Sequence, residues 1–169
     1  VNQSVFAEND AIAAETREAL RKKGLLFLNV MASPGAGKTT LLLATIRALK
    51  DECRIGVMEA DIEATVDAEK IEAAGARAIQ VHTGGACAMD AAMTREAVAA
   101  IGTEALDLLI LENVGNLVCP AETDTGAAAN VVLLSVPEGD DKPLKYPLMF
   151  EKADLVLVTK TDTRTYFPF

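Results

Sequence analysis

Six short apolar runs recur along the chain, at 25–32, 54–60, 76–81, 106–112, 131–136 and 155–159. All are of strand length, and most lack the strict alternation of a sheet with one wet face. They therefore read as parallel strands covered on both sides. The segments between them carry helical patterning: 38–50, then 65–74 with Gly75 as its stop, then 89–101 with Gly102 as its stop. Ahead of the first strand, a charged segment from about residue 5 to 23 predicts a helix. Ala14, Ala19 and Leu20 are expected on its inner face, with Gly24 at its end. Strand–helix alternation of this kind predicts an α/β fold: a mostly parallel, doubly wound sheet flanked by helices, with right-handed crossovers. There are no repeats, low-complexity tracts or internal linkers, so 1–169 reads as one domain.

In such a sheet, ligands sit at the carboxyl ends of the strands. The first strand runs into Ala-Ser-Pro-Gly-Ala-Gly-Lys-Thr-Thr, 32–40, and a helix follows. Strand, glycine-rich loop and helix with Gly-Lys-Thr at its start form a phosphate-binding loop. Gly35, Ala36 and Gly37 let backbone N–H groups converge on an anion, and the helix N-terminus adds partial positive charge. Lys38 is expected on the β- and γ-phosphates, the Thr39 hydroxyl on Mg²⁺, and Thr40 beside them. Ala32 stands where the strict pattern has glycine, a small-for-small relaxation.

Other strand ends carry chemistry too. Glu112-Asn113-Val114-Gly115 places a carboxylate for Mg²⁺ and a glycine for close approach to a γ-phosphate. Asp61, at the end of the neighbouring strand, is a candidate for Mg²⁺ or the attacking water, or a helix cap, or both. With Lys38, Asp61 and Glu112 form the expected catalytic set. Thr159-Lys160-Thr161-Asp162 ends the last run. There Asp162 can accept two hydrogen bonds from guanine that adenine cannot donate, and the Lys160 stem can pack on the base. GTP and GDP are thus the expected nucleotides. The segment with Lys142, Lys145 and Tyr146 reads equally as a nucleotide or partner contact and as a solvated loop.

Composition narrows this further. Half of the residues are hydrophobic but only 4% are aromatic, so Ala, Val and Leu must fill the core. The net charge of −9, with no polybasic run, argues against nucleic-acid or anionic-membrane partners. No apolar run is long enough to span a bilayer, and no signal peptide opens the chain. Three cysteines, an odd and sparse set, favour a reduced, cytoplasmic protein. Cys53 reads as packing. Cys87 and Cys119 both follow strand ends and glycines, and read either as small buried thiols or as metal ligands. His82, the lone histidine, is first a structural or surface residue and second a metal ligand, since it stands five residues before Cys87 at a strand end.

Three longer blocks, Thr83 to Cys87, Glu112 to Glu122 and Glu138 to Pro147, resemble the hydrogenase nickel-incorporation GTPases (HypB). Urease accessory GTPases are the second resemblance; they lack the Val118-Cys119-Pro120 segment. The first resemblance implies a SIMIBI-type GTPase that forms a homodimer with nucleotide or metal. It would deliver nickel, with a maturation partner, to the large subunit of [NiFe]-hydrogenase. It also implies a Cys-His pair and a later Cys as metal ligands. Cys87 and Cys119 match the cysteines, while Ala88 stands in the histidine position. Two copies of the chain would together offer four thiolates for Ni²⁺ or Zn²⁺. The family's N-terminal nickel motif, and the last strand and helix of its domain, are not in this sequence. A small-molecule kinase and a non-catalytic metal-binding scaffold are the competing functions.

Overall fold

The six apolar runs pair into one parallel sheet in the order β3-β2-β4-β1-β5-β6. The structure, a computed structural model, describes residues 2–60 and 65–169. The strands are β1 (Leu26–Ala32), β2 (Ile55–Glu59), β3 (Arg77–Gln80), β4 (Leu108–Glu112), β5 (Ala129–Ser135) and β6 (Leu155–Thr159). The long helices are α1 (Asn2–Lys22), α2 (Lys38–Leu49), α3 (Thr65–Ala74) and α4 (Ala91–Ile101). The connection from β1 passes over β4 to β2, and the connection from β4 passes over β1 to β5. Strand order therefore reverses between β1 and β4, and a cleft lies at their carboxyl ends.

The inner runs have the burial expected of them, whereas β3 and β6, each bonded on one side among the described residues, are only partly covered. Every residue of β2 and β4 is buried, and two core clusters flank the sheet. One contains Phe27, Met58, Met89 and Leu109; the other contains Leu42, Ile46, Val57 and Ile71. Each such side chain contributes about 1.5–3 kcal/mol by leaving water.

The inner face of α1 differs from expectation. Ala13, Thr16 and Leu20 are buried, whereas Ala14 and Ala19 are exposed. The spacing is helical, but one rung is a threonine, so a search for apolar residues alone picks the wrong face. Helix α4 starts two residues later than expected because Asp90 caps it, its carboxylate accepting from Met93 N at 2.8 Å. The segment after β5 forms short helices, α6 (Lys142–Lys145) and α7 (Pro147–Glu151), and α5 (Cys119–Glu122) precedes β5. Tyr146 packs against a small core of Met31, Val132 and Met149, so its role in the structure is packing. Among the described residues, no helix is long and apolar enough to cross a membrane.

Candidate nucleotide and metal site

The turn between β1 and α2 needs two residues with positive φ, and glycine occupies both: Gly35 at +74° and Gly37 at +102°. Gly37 closes the first turn of α2 by accepting from Leu41 N at 3.0 Å. Ala32 ends β1, fully buried and without positive φ, so alanine there carries no left-handed strain.

Three neighbouring strand ends tether this loop. Asn116 N donates to Ala32 O at 2.8 Å. Thr159 Oγ1 donates to Ala36 O at 2.6 Å, and Lys160 Nζ to Gly35 O at 2.6 Å. From the end of β5, the Glu138 carboxylate accepts from the Ser33 hydroxyl. Thr159, in the position expected of an asparagine, thus spends its hydroxyl on the phosphate loop. Among the described residues, Lys160 is the one non-glycine with positive φ, at 54°. Gly115 lies so close to the loop that a Cβ there would stand 3.2 Å from Pro34 Cα.

The loop opens on a cleft of about 570 Å³ lined by Gly35, Lys38, Thr39, Thr40, Glu112 and Gly115, among others. Lys38 and Glu112 are buried, and Thr39 Oγ1 donates to Glu112 Oε1 at 3.1 Å. A hydroxyl and a carboxylate oxygen side by side at the loop mouth are hard donors that suit Mg²⁺. Asp67 of α3 also lines the cleft and lies within an ion pair to Lys70 at 2.9 Å. The sequence patterns did not single it out, because its only signal was an acidic first helical turn. Asp61 lies outside the described residues. Asp162 is exposed in the 3-10 turn Thr161–Thr165, beyond the residues lining the cleft, with Lys160 reaching back from the same turn.

Cys87 and Cys119 are brought together, with Cα atoms 6.0 Å apart, and they are joined in a disulfide. Here the two sulfurs bond each other, where the expectation has them as reduced thiolates for a metal. The physical reason is a set of asparagines that stitch the two loops together. Asn113, fully buried, accepts from Met89 N at 3.1 Å and donates to Asn29 Oδ1 at 3.1 Å, and Asn29 donates to Asn130 Oδ1 at 3.0 Å. Asn116 accepts from Val118 N and Cys119 N at 2.7 and 3.0 Å, and so sets the turn into α5. Among the described residues, no three His, Cys, Asp or Glu side chains are grouped to hold a metal ion. His82 lines a different hollow with Gln80 and Thr83. Cys53 packs against the core, as expected.

Residues 26–167 match the CobW/HypB/UreG nucleotide-binding domain. The chain belongs to that family. It is 48% identical over its whole length to the hydrogenase maturation factor HypB of Rhizobium leguminosarum bv. viciae, and spans 56% of that protein. It is 47% identical to the hydrogenase/urease maturation factor HypB of Helicobacter hepaticus, 98% of the chain covering 69% of that relative. Among solved structures, HypB from Helicobacter pylori in complex with nickel matches with a TM-score of 0.86 at 48% identity, covering 96% of this chain and 76% of that one. HypB from Archaeoglobus fulgidus gives 0.87 at 39% identity, with 94% and 77% covered. The signal recognition particle 54 kDa protein of Aeropyrum pernix, at 16% identity and a TM-score of 0.62, shares the fold alone. The fold is thus a parallel α/β nucleotide-binding fold with a phosphate loop, as the alternation of strands and helices and the loop predicted.

Proposed function

We propose that the chain is the GTP-hydrolysing domain of a cytoplasmic nickel-delivery factor for [NiFe]-hydrogenase, working as a nucleotide-switched homodimer. It would act with a maturation partner and the hydrogenase large subunit. One observation carries the reading: the loop that bears Cys119 is hydrogen-bonded directly to the phosphate loop, through Asn116 N and Ala32 O. A change at the γ-phosphate therefore reaches the cysteine pair along about four residues of backbone, at most about 14 Å.

The reaction is GTP + H₂O to GDP + phosphate. Lys38 and the backbone amides of the loop hold the phosphates; Gly115 lies where a γ-phosphate is sensed. Thr39 and Glu112 would hold Mg²⁺, with Asp61 as a further candidate, and the ion would neutralise charge on the phosphate oxygens. Lys160 and Asp162 read guanine. Nickel, or zinc in its place, is cargo. Cys87 and Cys119 accept it only after reduction, and two chains supply four thiolates, a set that a square-planar Ni²⁺ can occupy. The names of the Helicobacter relatives couple hydrogenase with urease, which makes urease the second client to try.

Nickel affinity of reduced protein is the test. The dissociation constant should differ between the forms bound to a GTP analogue and to GDP, because coupling between sites is reciprocal. Oxidised protein and Cys87→Ser should bind no nickel at this site. Equal constants in both nucleotide states would remove the switch.

A further inference from the structure

We propose that Glu138 is a positioning residue for the phosphate-binding loop, acting through the Ser33 hydroxyl. The inference rests on the reading above that this loop binds GTP and GDP. Glu138 ends the short 3-10 turn Val136–Glu138 that follows β5. Its Oε2 accepts from Ser135 N at 2.8 Å and from Ser135 Oγ at 2.5 Å. These two bonds fix the plane of the carboxylate and leave Oε1 aimed at Ser33, the first residue of the loop, whose hydroxyl donates to it. The turn is braced in its own right: Lys142 Nζ donates to the Glu138 carbonyl at 2.6 Å and to Asp141 Oδ1 at 3.0 Å.

Two features separate this tie from the other three. Asn116, Thr159 and Lys160 bond main-chain carbonyls of the loop, whereas Glu138 bonds a side chain, so Ser33→Ala cuts the tie from the loop side alone. Glu138 is also not among the residues lining the cleft, so its negative charge is spent on three donors and does not face the phosphates. A loop whose amides must converge on an anion binds more tightly when it is ordered before the anion arrives. Bonds to a carboxylate are the stronger class of hydrogen bond, and this one fixes the end of the loop where β1 releases the chain.

Calorimetric titration with GDP and with a non-hydrolysable GTP analogue tests the proposal on wild type, Glu138→Ala, Ser33→Ala, the double variant and Glu138→Gln. Each single alanine variant should raise the dissociation constant about 5–10-fold, and the double variant should be no weaker than the weaker single one. Glu138→Gln should recover most of the affinity, since its oxygen accepts from Ser135 while its amide donates to the Ser33 hydroxyl. Single-turnover hydrolysis by Glu138→Ala at saturating GTP should stay within about twofold of wild type, because Glu138 does not line the cleft. Ser33→Ala leaves the bonds between Glu138 and Ser135 intact, so it tests the idea even if Glu138→Ala fails to fold. Wild-type affinity in Ser33→Ala, or losses that multiply in the double variant, would overturn the proposal. A wild-type protein that binds neither nucleotide would overturn the reading of the site and this inference together.

Discussion

The centre of the sheet and its β6 edge both contribute to the candidate cleft but hold their parts of it differently. At the centre, β1 is bonded to β4 on one side and β5 on the other, and β4 is itself flanked by β2. Everything expected to touch phosphate and Mg²⁺ there, Lys38, Thr39, Glu112 and Gly115, hangs from strand ends bonded on both sides. At the edge, β6 is bonded among the described residues to β5 alone, and Leu155, Val156 and Val158 are 51%, 41% and 43% exposed. Lys160 and Asp162 hang from that strand. The phosphate and Mg²⁺ candidates thus hang from strands bonded on both sides, and the base-reading candidates from a strand bonded on one side among the described residues. Two hydrogen bonds bridge the halves, from Thr159 and Lys160 to the phosphate loop, so the edge is steadied by the site it helps to form.

The largest effect should come from the centre. Lys38→Ala removes the one long cation placed by the loop, and nucleotide affinity should fall about a hundredfold, the scale of losing charge-assisted hydrogen bonds in a buried site. Titration with GDP measures it. A loss of less than about threefold would mean that phosphate binding does not reside at the centre. At the edge, Asp162→Ala should lower GTP affinity only about tenfold, because Asp162 is exposed and water competes for the same bonds. Asp162→Asn sharpens the point, since its amide can donate to the 2-oxo group of xanthine. The preference between GTP and XTP should then shift towards XTP, read by competition against labelled GDP. An unchanged preference would place base recognition on other residues.

What was legible in the sequence follows the same division. The strands were readable within a residue or two because each is a short, continuous apolar run bounded by polar or glycine residues, fully buried in β2 and β4 and only partly so in β3 and β6. Thr39 and Glu112 were readable because a motif and a strand end both place oxygen donors at one level of the sheet. The inner face of α1 was missed because Thr16 is buried there in place of an apolar residue. Glu138 was invisible as a tether: its partner Ser33 lies 105 positions away, and no periodicity records such a contact. The cysteine pair was half legible. Its two positions were singled out, but a separation of 32 residues says nothing about whether the sulfurs meet each other or share a metal. The buried asparagine ladder that brings them together alternates with apolar residues and leaves no pattern of its own.

The smallest effect belongs to the charged segment beyond β5, and it fixes how little surface charge matters to the edge. Asp141 is held below the usual carboxylate range, at about 2 against 3.8, first by the Lys145 ammonium and then by Lys142, both hydrogen-bonded to it. A depressed carboxylate pKa stabilises the fold in full above the unfolded value and loses that contribution as pH falls towards the folded one. The window is therefore between about pH 4 and pH 2, and nothing should change between pH 5 and 8. The group is exposed and screened by solvent, so Asp141→Asn should lower the melting temperature by no more than about 1–2 °C at pH 7. The difference should shrink in high salt, and it should fade as pH falls towards 2, where about half of the Asp141 carboxylates have taken up a proton. Thermal melts of both proteins across that range measure it. A drop of many degrees at pH 7 would show that this segment, through Lys142 and the Glu138 turn it braces, carries part of the stability assigned here to the centre of the sheet.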